Sequence, residues 1–181
     1  MLQIAIPLGE EYYNEKTNEF VYPKVQILQL EHSLVSLSKW ESKWCKPFLS
    51  KEKTSEKETV DYIKCMTLTQ NVPPEVYDYL TDDNIREVTE YINAPKTATT
   101  FSDDKNAKPS REIVTAEIIY YWMIALNIPF ECQKWHLNKL LTLIKVCTIK
   151  NSPPKKMSQK DAMSQQRALN AARRKKLNTR G

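Results

Sequence analysis

The chain has 181 residues, with 27 lysines and arginines against 22 acids, and that length holds one domain of ordinary size plus an appendage. Its two glycines, Gly9 and Gly181, exclude the loops that cradle phosphates, which need glycine wherever backbone approaches a nucleotide closely. No uncharged apolar run nears the ~20 residues that span a bilayer, and no basic-then-apolar leader opens the chain, so a soluble cytosolic protein is expected.

Residues 2–6 (LQIAI) and 25–31 (VQILQLE) alternate apolar and polar, the period of strands with one buried face. Between them Tyr12, Tyr13, Phe20 and Tyr22 flank the turn-rich run Asn14 to Asn18. A β-hairpin over 1–32, packed on a helical body, is therefore predicted. A lone hairpin is barely stable in water, so its edge is either covered by a helix or gains strands from another chain.

The period then becomes helical. Leu34, Leu37, Trp40 and Trp44 share one face, with Ser33 as the cap and Pro47 as the stop. Trp40 and Trp44, one turn apart, read either as core anchors or as an interface hot spot. Ser55 and Glu58 have capping-box spacing and open a helix carrying Val60, Ile63, Cys65 and Met66. Pro74 suits the first turn of a short helix bearing Tyr77 and Tyr79, and Thr81 caps another with the stripe Ile85, Val88, Ile92. From Lys96 to Pro109 periodicity is absent and an exposed loop is expected. Within it Asp103 and Asp104 lack further ligands and read as a solvated turn.

Residues 33–150 are assigned to the helical domain, and 112–147 to a central helical hairpin around which the chain is organised. Its first helix, with Ser110 as candidate cap, is apolar most of the way round through Ile113, Val114, Ile118, Tyr120, Tyr121 and Ile124, and such a helix is expected to be buried. Pro129 breaks the run, and Leu137, Leu140, Leu141 and Ile144 make one stripe on the second helix. His136, within that helix, reads as a hydrogen-bonded structural histidine, because one histidine without a partner pattern seldom makes a site. Cys45, Cys65, Cys132 and Cys147 stand far apart and read as buried or half-buried free thiols in a reducing compartment. No catalytic constellation, metal set or cofactor motif stands out, and no enzyme is expected.

Residues 151–181 carry nine lysines and arginines against one acid, Asp161, a net +8. The other 150 residues, with 18 bases and 21 acids, are net −3. After Pro153 and Pro154 this arm has good helix formers, with capping-box spacing at Ser158 and Asp161. Its apolar content is too thin to hold a helix alone, so it is expected to be disordered or frayed until it meets a partner. Arg167, Arg173, Arg174, Lys175 and Lys176 fit nucleic-acid phosphates, an acidic protein surface, or a solubilising role. The tail has no aromatic residue for base stacking, which weighs against single strands.

Long phrases carry a resemblance: LEHSLVSLSKWESKWCKPFL, TATTFSDD, EIIYYWMIALNIPFECQKWHLNKLLTLIKVC and RALNAARRKKLNTRG. From Leu2 to Gly181 the chain resembles the tail assembly chaperones of long-tailed bacteriophages. The resemblance implies a protein of the infected bacterial cytoplasm, absent from the mature virion, that binds the tape measure protein and recruits major tail protein subunits. Trp40, Trp44, Tyr77 and Tyr79 are then the candidate hydrophobic contacts, with the tail cations for docking and self-association as a further expectation. A virion component of the tail or head–tail connector, and a nucleic-acid-binding protein acting through the tail, are the alternatives. The whole is expected to be mainly α, with an N-terminal β-hairpin and a basic C-terminal arm.

Overall fold

Alternating side chains at the N-terminus give strand β1 (Leu2–Leu8), then β2 (Tyr12–Asn14), β3 (Glu19–Val21) and β4 (Lys24–Leu30) in a computed structural model. It describes residues 1–9, 11–16, 18–50, 54–101, 113–152 and 159–177. β1 pairs antiparallel with β4 in the register Ile4↔Leu28, and β2 pairs with β3 as a separate short ribbon, with Tyr13 opposite Phe20. Ile4, Ile6, Leu28 and Leu30 turn inward and are buried, while Ala5, Val25 and Ile27 face solvent. The expected hairpin is present, and β1 runs on through Pro7.

Helix α1 (Leu34–Trp44) starts at Ser33, whose hydroxyl accepts from the Ser36 N–H while the Ser36 hydroxyl accepts from the Ser33 N–H. Each bond satisfies a donor that the first helical turn leaves orphaned. Helices α2 (Glu56–Met66) and α3 (Asp82–Asn93) carry the same device, at Ser55 with Glu58 and at Thr81 with Asn84. A 3-10 helix, Pro74–Tyr79, lies between them. Trp40 of α1 closes one core with Ile4, Ile6, Leu28, Tyr62, Ile63, Met66 and Val88. Leu34 and Leu37, on the same helix, enter a second core with α4 (Ala116–Ala125) and α5 (Leu137–Asn151). The element shared by both cores is therefore α1 rather than the 112–147 segment. Between α4 and α5 stands a further 3-10 helix, Phe130–Lys134, so their link is longer than a hairpin turn.

α4 begins later than the sequence pattern implied. Ser110 lies outside the described residues, and Thr115, at the cap position, makes no side-chain cap bond. The buried carboxylate of Glu41, from α1, does that work: one oxygen accepts from the Ala116 N–H at 2.7 Å and the other from the Phe48 N–H at 2.8 Å. A negative group there also suits the positive end of the helix. Glu41→Ala leaves two enclosed donors unmet, and a loss of about 2 kcal/mol in urea denaturation is expected. Wild-type stability in that variant would show that the carboxylate does not join the two cores.

The burial expected for α4 holds on one side only. Ala116, Ile119 and Met123 are enclosed, whereas Tyr121 and Ile124 are 66% and 60% exposed. Cys45, just past the end of α1, is likewise exposed, where a buried or half-buried thiol was expected. His136 stands before α5, at its cap, and not within it: its carbonyl accepts from the Lys139 and Leu140 N–H groups. Ser33 and His136 form an isolated antiparallel bridge, and the Leu137 N–H donates to the His32 carbonyl at 2.7 Å, so α1 and α5 start side by side.

The chain divides into two units, Met1–Thr148 and Ile149–Gly181. The second contains α6 (Gln159–Leu177), on which every described side chain, from 163 to 177, is exposed. Asp103, Asp104, Pro153, Pro154 and Ser158 lie outside the described residues. Among the described residues no helix is long and apolar enough to cross a membrane.

Candidate partner-binding groove

A groove of about 700 Å³ lies between α1 and α2 on one side and the 3-10 helix Pro74–Tyr79 with the start of α3 on the other. Trp44, Val60, Tyr77, Leu80 and Ile85 give it apolar walls; Lys43, Lys57 and Lys64 stand along the α1–α2 side together with Glu56 and Asp61, and Asp78 stands opposite. The lysines follow from helix geometry: Lys57, Val60, Asp61 and Lys64 recur every three or four residues and so share one face of α2.

The aromatic wall is held from behind. Trp44 stacks on Trp40 with ring centroids 6.2 Å apart, and its indole N–H donates to Asp61 Oδ2 at 2.9 Å. The same carboxylate pairs with Lys43. Burial pushes the Asp61 carboxyl upward, but the bonds from Lys43 and Trp44 outweigh it and the net direction is down. Glu58, one turn earlier, is held down to about 2 by Lys46 at 2.7 Å and by the Ser55 N–H and hydroxyl. Its carbonyl accepts from the Trp40 indole at 3.0 Å. Opposite, the Tyr77 hydroxyl donates to Thr67 Oγ1 at 3.0 Å, and Lys64 Nζ lies 5.2 Å from the Tyr77 ring centre.

The four aromatic residues singled out from the sequence divide by burial. Trp40, at 2% exposure, is a core residue and offers no contact surface. Tyr77 is largely enclosed and shows only part of its ring to the groove. The size of each apolar ring explains this, since a two-core domain of this length needs its largest side chains inside. Trp44, half-buried, and Tyr77 come together across the groove. Tyr79, 47% exposed, ends the 3-10 helix and does not line it. Arg167, Arg173, Arg174, Lys175 and Lys176 are exposed on α6, in the second unit.

No family model matches the chain, and no curated protein or solved structure is detectably similar to it. Interpretation therefore rests on the geometry. Lys57 and Lys64, which nothing in the sequence singled out, are groove residues. Neither pairs with a carboxylate among the described residues. Asp61 is already engaged by two donors, and among the described residues no group of three His, Cys, Asp or Glu side chains is placed to hold a metal ion. A trough with aromatic and aliphatic walls, edged by charges of both signs, is suited to receiving a side chain or a helix face from another macromolecule.

Proposed function

We propose that this chain is a non-catalytic assembly protein of the phage tail chaperone kind, binding the tape measure protein and bringing tail tube subunits to it. The observation that carries the reading is the groove between Trp44 and Tyr77; helix α4, elsewhere in the same unit, also shows Tyr121 and Ile124 to solvent. The resemblance described above supplies the identity of the partner, and the exposed cations of α6 support a second, electrostatic contact.

The test is capture of the co-expressed tape measure protein. Trp44→Ala, checked for folding by circular dichroism, is expected to weaken capture by roughly 30-fold, the effect of losing a central aromatic anchor. Trp44→Phe keeps much of the wall and is expected to lose far less. Undiminished capture by folded Trp44→Ala would remove the groove from the account. Mass spectrometry of purified particles beside infected-cell lysate addresses the role itself: abundance in lysate with absence from particles supports an assembly factor of the bacterial cytoplasm. Stoichiometric presence in particles overturns it in favour of a tail or connector component.

A further inference from the structure

The two edges of the β1–β4 ribbon are treated differently by the fold. In an antiparallel pair alternate residues turn their N–H and C=O away from the partner strand, so each edge offers a row of backbone groups. On β1 that row is met at Ala5 and interrupted at Pro7. The Ala5 carbonyl accepts from Asn84 Nδ2 of α3 at 3.3 Å, and Pro7, two residues on, has no N–H to offer.

On β4 the row is closed at one end and open at the other. Gln29 donates its N–H to Thr69 Oγ1 at 2.9 Å and accepts from the Leu68 N–H at 2.7 Å. Asn71, with φ of 56°, then turns the chain, and the pairing segment ends. Val25 and Ile27 have the same parity as Gln29, yet among the described residues no backbone group reaches them across this edge. The Ile27 carbonyl is met only by the amide of its neighbour Gln26, at 3.3 Å. No charge guards the stretch from Val25 to Leu30, and the outward side chains beside it are apolar: Val25 and Ile27 are 58% and 57% exposed. Lysine, proline or a covering helix ordinarily blunts such an edge. Among the described residues a polar contact from α3 and a proline stand on the β1 edge, whereas the stretch Val25–Leu28 of β4 has neither and only Lys24 at its start.

We propose that the open edge of β4 is a self-association surface, on which β4 of a second copy of this chain adds antiparallel about a two-fold axis. The register follows from parity. Val25 of one copy lies opposite Ile27 of the other, so the two residues exchange both backbone bonds, twice over by symmetry, and Gln26 faces Gln26 as the intervening non-hydrogen-bonded pair. The strand is self-complementary in this register because no like charges are brought together: Lys24 falls opposite Leu28. The product is a four-stranded sheet whose outer face joins the exposed Val25 and Ile27 of both copies. This inference does not depend on the function proposed above.

Sedimentation velocity of the full chain across micromolar concentrations is expected to show a concentration-dependent dimer. Ile27→Pro removes an outward N–H without touching the β1–β4 ladder, and Ile27→Lys sets a charge on the edge while keeping the strand; both are expected to sediment as folded monomers. Gln26→Cys is expected to link copy to copy under mild oxidation, because a non-hydrogen-bonded pair places its Cα atoms about 4.5 Å apart, within disulfide reach. The unsubstituted chain, with Cys45 exposed, is the control for other crosslinks. A wild-type chain that stays monomeric at every concentration overturns the proposal, and so does a dimer that persists in both Ile27 variants.

Discussion

Trp40→Ala is expected to destabilise the domain by about 4 kcal/mol, the range found when a fully enclosed aromatic is cut to a methyl. The size follows from what the ring touches. It packs between the β-ribbon and α2, stacks on Trp44 at 6.2 Å, meets Phe48 and Tyr62 edge-on, and donates its indole N–H to the Glu58 carbonyl. The substitution opens a cavity and removes the second donor to that carbonyl, which keeps its bond within α2, so the cavity sets most of the cost. Trp44→Ala, at a half-buried position, is expected to cost about 1 kcal/mol. Urea denaturation followed by circular dichroism measures both; a Trp40→Ala loss below about 1 kcal/mol would contradict the two-core arrangement. The contrast also decides how binding is probed. A variant lacking both tryptophans confounds lost contact with lost fold, whereas Trp44 alone separates them.

What the sequence made legible was local. Ser33, Ser55 and Thr81 were readable as helix starts because a cap and its third following residue lie within one turn. The hairpin was readable because alternation is a two-residue period, and β1 crosses Pro7 only because that residue turns its missing N–H outward. The start of α4 was not readable. Its donor is met by Glu41, 75 residues away in sequence, and no local pattern carries such a bond. The same is true of α1 as the wall between two cores: helical spacing put Leu34, Leu37 and Trp40 on one face, but did not show which neighbours each would meet.

The groove was legible in its parts and not in its assembly. Trp44 and Tyr77 stood out as large aromatics, yet their distance in the chain gave no reason to pair them, and nothing local singled out Lys57 and Lys64. The reverse error touched α4. A helix apolar all round was read as buried, but the second core covers one side, and Tyr121 and Ile124 remain on the surface. Periodicity reports how many sides of a helix avoid water and not what supplies the cover.

Acid is expected to begin destabilising this domain above the pH at which its carboxylates titrate. His32 and His136 are both buried, with ring centroids 5.2 Å apart, at the paired starts of α1 and α5. Burial, and then the neighbouring His136, push His32 down to about 3. His136 is lowered mainly by burial, with Lys96 and the Met1 amine acting in the same direction against the Tyr91 carbonyl and Glu31. The Nδ1 bond requires the neutral form, since that atom accepts from the Asn138 N–H, while Nε2–H donates to the Tyr91 carbonyl. The unfolded chain therefore takes up protons as pH falls below about 6.5, while the folded chain refuses them until far lower. Stability is full above that pH, falls as pH drops toward about 3, and levels off below it. One such group gives a slope of up to about 1.4 kcal/mol per pH unit, so about 3 kcal/mol is lost by pH 4. Glu58, held down to about 2, adds its own loss only as pH falls through the ordinary carboxylate range, so the upper window belongs to the histidines. His32→Asn preserves an acceptor near Nδ1 for the Tyr62 hydroxyl, 2.6 Å from that atom in the wild type, and removes the titration. Thermal denaturation from pH 7 to pH 4.5 is expected to show a falling Tm for the wild type and a shallower fall for His32→Asn. Equal slopes in the two proteins would place the acid sensitivity elsewhere.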